Sequence, residues 1–116
     1  MQVTRIDDAK AYEAPNHFDV RSLRLQGWDA SDTSSFWVGV SYFLPDGGTG
    51  HEATPFEKVY VVIDGEITVI TDGGEAVLGP LDSCHIPANE ARSIRNRTNK
   101  VATMLVIMPY PPEENR

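Results

Sequence analysis

The sequence predicts an all-β domain closed into a single barrel or sandwich. Three observations carry that expectation. Val, Ile, Thr, Tyr, Phe and Trp gather in short runs, turn-forming residues separate the runs at close intervals, and no segment keeps the apolar spacing of an amphipathic helix over three turns. The predicted strands cover residues 20–26, 35–44, 58–63, 66–71, 75–78, 83–86, 91–96 and 101–108. Pro45-Asp46-Gly47-Gly48 closes the second strand and reads as a turn. Val59-Tyr60-Val61-Val62-Ile63 runs into Asp64-Gly65, the two-residue signal of a tight hairpin, and continues as Glu66-Ile67-Thr68-Val69-Ile70. Asp72-Gly73-Gly74, Gly79-Pro80 and Asn99-Lys100 supply the later turns. Residues 1–19 read as a lead-in, 20–108 as the barrel, and the proline-rich 109–116 as an extended tail.

At 116 residues the chain is long enough for one domain with its own core. Seventeen acidic against ten basic side chains give a net charge of −7, which opposes binding to nucleic acid or to anionic membranes. The first twenty residues lack the pattern of a signal peptide, and no apolar run reaches the roughly 20 residues of a membrane span. Cys84 is the only cysteine, so no internal disulfide forms; together these features predict a cytoplasmic protein. Period-two alternation puts Val59, Val61 and Ile63 on one strand face and Lys58, Tyr60 and Val62 on the other. Both faces are apolar enough to need cover, which predicts a homodimer.

Two segments carry a more specific signal. Leu78-Gly79-Pro80-Leu81-Asp82-Ser83-Cys84-His85-Ile86-Pro87-Ala88 leads into Arg92-Ser93-Ile94-Arg95-Asn96, and an earlier segment ends at Gly65. Together these resemble the two motifs of the cupin superfamily, which implies a small single-domain cupin barrel, that is, a double-stranded β-helix or jelly roll. Pro87 and Asn96 fall on the second motif, Leu81 and Asn89 stand where the family has glycines, and Arg92 stands where it has a histidine ligand. Counting back from Gly65 puts Lys58 at the family's ligand glutamate. The longer of the family's spacings then puts His51 and Ala53 at the first two histidines, and the shorter puts Glu52 and Thr54 there. A third register, with a one-residue bulge, places His51 and Glu57 at ligand positions.

The resemblance implies a cavity whose metal positions are rewritten. With Lys58 and Arg92 facing inward, two cations repel a divalent metal and attract an anion, so no metal is predicted and the expected ligand is a small anionic organic molecule. Burial beside Arg92 lowers the pKa of Lys58, making it a base or an amine nucleophile. The expected roles are His51 and Lys58 as acid and base, and Arg92, Tyr60 and His85 as ligand-binding groups, in an isomerase, lyase or hydratase. Two alternatives stand beside this one. In the first, His51, Glu57 and His85 hold Fe, Mn, Ni or Zn in an oxygenase or isomerase. In the second, the barrel binds or senses a ligand without catalysis. His17 carries no spacing signal, and Cys84 reads as a small core residue.

Overall fold

The computed structural model describes residues 1–112, so the tail expected over 109–116 lies outside the described residues from 113 onward. After a short 3-10 turn at Ile6–Asp8 come nine strands: β1 Ala11–Tyr12, β2 His17–Gln26, β3 Phe36–Thr49, β4 Lys58–Asp64, β5 Ile67–Thr71, β6 Gly74–Leu78, β7 Ser83–Ile86, β8 Arg92–Arg95 and β9 Ala102–Pro109. They form one sheet in the order β6-β5-β8-β3-β9-β4-β7, with β2 on β3 and β1 on β2. All pairings are antiparallel. The sheet curls into a nearly closed barrel, as the strand and turn pattern predicts. Among the described residues no helix is long and apolar enough to cross a membrane.

Alternation builds the core. Tyr60 and Val62 from β4, Ala102, Met104 and Val106 from β9, Phe43 from β3, Ile67 from β5 and Ile94 from β8 point to the same interior and are buried. The hairpin between β4 and β5 turns at Asp64-Gly65, with Gly65 at φ 78°, as Asp-Gly predicts.

Pro45-Asp46-Gly47-Gly48 is not the turn that its composition predicts. β3 runs through it, pairing with β9 from Phe36 to Phe43 and then reaching β8, where Gly48 stands opposite Arg95. Asp46, at φ 66°, bends the strand, and hydrogen bonds from Asp46 N to Asn96 O and from Asn96 N to Gly47 O hold the bend. A Cβ on Gly48 would lie 2.1 Å from Ile94 O, so glycine is required by close backbone approach rather than by a turn. Tertiary pairing overrides the local signal here.

Leu81 and Asn89, the residues standing at the family's glycine positions, both adopt left-handed backbone, at φ 69° and 68°. Asn tolerates that region; leucine is strained there. Leu81 is also 78% exposed, so it contributes little packing. Leu81→Gly is therefore expected to stabilise the fold by about 0.5–1 kcal/mol, because relief of the strain exceeds the extra chain entropy that glycine adds to the unfolded state. Chemical denaturation of the two proteins side by side checks the sign; a lower midpoint for Leu81→Gly would contradict it.

Candidate functional site

A cavity of about 270 Å³ opens inside the barrel between β2, β3, β4, β8 and β9. Tyr12, Trp28 and Trp37 give it an aromatic lining, and Glu52, Thr54, Lys58, Tyr60 and Arg92 give it a polar cluster. The size suits one small organic molecule, near the lower end of the roughly 300–1,000 Å³ of typical ligand pockets.

Strand register explains the polar cluster. Glu52 and Arg92 are bridged through reciprocal backbone hydrogen bonds of 3.0 Å, which puts both side chains on the inner face. Lys58 and Tyr60 alternate inward along β4. The Arg92 guanidinium, 5% exposed, donates from Nε to Tyr60 Oη at 2.8 Å and from Nη1 to Thr49 Oγ1 at 3.3 Å and to the Gly50 carbonyl. Lys58, 3% exposed, donates from Nζ to Thr54 Oγ1 at 2.8 Å. Burial, reinforced by the Arg92 charge and opposed by Glu52, holds the Lys58 ammonium down at about 8. Burial raises the Tyr60 phenol, with Arg92 opposing, so Tyr60 stays a neutral hydrogen-bonding group.

The interior therefore takes the shorter spacing, with Glu52, Thr54, Lys58 and Arg92 at the four positions where the family carries ligands. A divalent cation does not suit this set, which offers one carboxylate beside an ammonium and a guanidinium. Among the described residues, no cluster of three or more His, Cys, Asp and Glu side chains could hold a metal ion. β4 does carry a register shift, between Val62 and Asp64, yet Lys58 lines the cavity while His51 and Glu57 do not.

Of the residues singled out in the sequence, Lys58, Tyr60 and Arg92 meet in the cavity; His51 and His85 do not line it. His51, next to inward Glu52, turns out: its Nε2 lies 2.8 Å from Asp72 Oδ1 and its Nδ1 3.3 Å from Ser93 Oγ. His85 stands opposite Val59 in the β4–β7 register and shares that strand's outer face, where its Nε2 meets Glu57 Oε1 at 2.9 Å. His51 and Glu57 are thus engaged with different outer partners. Cys84 lies opposite Tyr60, and burial, then Glu90, raises its thiol pKa, which makes it a poor nucleophile.

Three interior residues escape sequence reasoning. Glu52 appears there only as an alternative in the register. His17 lines the cavity, and burial, joined by Arg92, lowers its pKa against the opposing effect of Pro15 and Glu52. Its Nδ1 lies 2.7 Å from the Pro15 carbonyl, which can only accept, so Nδ1 carries the proton and Nε2 is the basic nitrogen of the neutral ring. Arg24, from β2, stacks its guanidinium within the aromatic lining. The shorter motif spacing is the one signal for Glu52; no local motif marks His17 or Arg24, which strand pairing brings to the cavity.

The nine-stranded barrel and its inward motif residues agree with a family comparison, in which the Cupin_2 model, described as a cupin domain, matches residues 39–108. The chain belongs to the cupin family. This cupin is 47% identical over 114 residues to the Beta-D-galactosidase Rv1717 of Mycobacterium tuberculosis, with 98% of each chain covered. Solved structures share its fold. The polyketide cyclase RemF from Streptomyces resistomycificus superposes with a TM-score of 0.83 at 19% identity, covering 94% of this cupin and 79% of that chain. A sugar phosphate isomerase of the cupin superfamily from Silicibacter pomeroyi gives 0.78 at 24%, covering 93% and 75%.

Proposed function

We propose that this cupin is a small enzyme acting on a sugar or glycoside held in the barrel interior. The observation that carries the reading is the convergence of Glu52 and Lys58, beside Arg92 and Tyr60, in an aromatic-lined cavity. Aromatic faces suit the apolar C–H faces of a sugar ring, and the polar cluster suits its hydroxyls. The 47% identity with a protein named as a β-D-galactosidase, across nearly the whole of both chains, supports the same class of substrate.

In this reading the Glu52 carboxylate takes a proton from water as that water attacks the anomeric carbon. The Lys58 ammonium gives a proton to the glycosidic oxygen as its bond to the anomeric carbon breaks. A proton then returns from Glu52 to Lys58, and the aglycone leaves as an alcohol. Tyr60 and Arg92 hold sugar hydroxyls, and charge-assisted donation from Arg92 fixes their orientation.

The mechanism needs protonated Lys58, so activity is expected to fall as pH rises through about 8, where the ammonium deprotonates. Stability follows the opposite trend. The penalty for burying the ammonium is fully present below about 8 and is relieved as pH rises toward the ordinary lysine value of 10.5, because the unfolded chain then binds more protons. Hydrolysis of methyl β-D-galactoside, whose alkoxide leaving group needs the proton, tests the proposal across this range, with Glu52→Gln expected to lower kcat/KM by about 10²–10³-fold. A pH profile flat from 7 to 10, on the scale set by these two lysine values, or an undiminished Glu52→Gln, would remove Lys58 and Glu52 from the reaction.

A second reading is supported by the two buried cations of the polar cluster: an isomerase, lyase or hydratase acting on a small anionic molecule, with Lys58 as the base in its neutral form. Activity would then rise through about 8 instead of falling. The direction of the pH profile separates the two readings.

A further inference from the structure

Arg24 differs from the other two cations of the cavity. Arg92 spends its donors on Tyr60, Thr49 and Gly50, and Lys58 donates to Thr54. The Arg24 guanidinium instead packs against rings, with Cζ 3.8 Å from the centroid of Tyr12, 4.9 Å from that of Trp37 and 5.1 Å from that of Trp28. The Tyr12 and Trp37 rings stand at 88° to each other, so the guanidinium lies flat on at most one of them, and ring contacts take up none of its N–H groups in a hydrogen bond to oxygen. Among the described residues those groups meet no hydrogen-bond acceptor and join no ion pair; Asp29, whose charge favours the charged form, is not paired with it. The side chain is half-buried and lines the cavity.

The stack is built by the fold. Gly39 stands opposite Arg24, and a Cβ there would lie 2.9 Å from Tyr12 Oη and 3.1 Å from Trp37 Cζ3, so glycine makes room for the two rings. The Tyr12 and Trp37 rings meet edge to face at 5.9 Å. Trp28 is held by its backbone N–H, which donates to Tyr110 Oη at 2.9 Å, and by an edge-to-face contact with the Tyr110 ring. A cation fixed in this way loses little freedom when it binds.

Register puts Arg24 on a different strand from Lys58 and Tyr60. Arg24, Gly39, Val106 and Tyr60 are successive partners across β2, β3, β9 and β4. Three strand spacings make about 14 Å along the sheet, less across the curved interior. We infer that Arg24 is an anion-recognition residue of the cavity, and that the preferred ligand is a sugar or glycoside carrying a carboxylate or phosphate that Arg24 takes. A carboxylate or phosphate offers the paired oxygens that a guanidinium edge takes in a forked contact. This inference rests on the sugar reading above and narrows it to anionic sugars.

Calorimetric titration of the intact chain with galactose, galacturonate, galactose 6-phosphate, acetate and inorganic phosphate tests it. The wild type is expected to bind at least one of the two anionic sugars about tenfold or more tighter than galactose, the scale of one charge-assisted contact. In Arg24→Gln the ratio of anionic to neutral affinity should fall to about one, and Arg24→Lys, which keeps a stacked cation without the fork, should restore part of it. Galactose binding without an anionic advantage in the wild type overturns the inference and leaves the sugar reading standing. So does an advantage that persists in Arg24→Gln. Acetate or phosphate binding as tightly as the anionic sugars, with loss in Arg24→Gln, keeps Arg24 as an anion site and overturns the sugar reading. Binding of none of the five overturns both.

Discussion

Replacing Asn96 by alanine is expected to lower the unfolding free energy by about 3–4 kcal/mol, a large share of the roughly 5–15 kcal/mol that holds a domain of this kind together. The side chain is fully buried and makes four hydrogen bonds. Its Nδ2 donates to the carbonyls of Phe43, at 2.9 Å, and Lys100, at 2.7 Å. Its Oδ1 accepts from the Thr98 backbone N–H at 3.0 Å and from the Thr98 hydroxyl at 2.8 Å. These bonds tie the bend of β3 to the loop between β8 and β9. Alanine leaves buried backbone groups without partners, which costs more than the bonds were worth in net terms. Asn96→Asp keeps the acceptor oxygen but loses both donors and buries a charge, so it should be at least as damaging at neutral pH and recover partly on acidification, when the carboxyl protonates. Denaturant midpoints for both variants check this; an Asn96→Ala loss below about 1 kcal/mol would show that water replaces the network without cost.

Arg92→Ala is expected to have the largest effect on function, a fall of about 10²–10³-fold in kcat/KM, the scale of removing one preorganised charged donor. It also removes the donor to Tyr60, so the phenol that lines the cavity loses its anchor. A second consequence distinguishes a direct role from general disruption. The Arg92 charge is one of the forces holding the Lys58 ammonium down at about 8, so its removal should raise that pKa and move the alkaline fall in activity to higher pH. Arg92→Lys keeps the charge but not the fork, and should lose activity with little displacement of the pH profile. A displaced limb in Arg92→Ala beside an undisplaced one in Arg92→Lys is the expected pattern. An unmoved limb in both variants would mean that Lys58 does not set it.

The strands that flank Asp64-Gly65 were legible from the sequence because each rests on a local cause: β-branched runs, and a turn pair that accepts left-handed backbone. Alternation put Lys58 and Tyr60 on one face, and the resemblance to the cupin motif, counted back from Gly65, implied that this face is the inner one. The motif spacing in the second half also placed Arg92, and it placed Leu81 and Asn89 at positions whose backbone is indeed left-handed.

The segment before β4 is different. His51, Glu52, Ala53 and Thr54 make no continuous strand, so period-two counting has nothing to propagate along, and one residue of slip exchanges every inward side chain for an outward one. The reciprocal hydrogen bonds between Glu52 and Arg92 fix that choice, turning Glu52 in and His51 out toward Asp72. Residues 45–48 gave a turn signal that pairing with β8 overrode. Tyr12, His17 and Arg24 lie outside both motifs, yet β1 and β2 fold back along β3 and bring them to the same cavity as Lys58 and Arg92. Local chemistry in the sequence determined the strands and their alternation, and the motif resemblance implied the two inward cations. Tertiary structure alone decided the carboxylate, the histidine and the third cation that share their cavity, because hydrogen bonds between strands distant in sequence set which side chains meet.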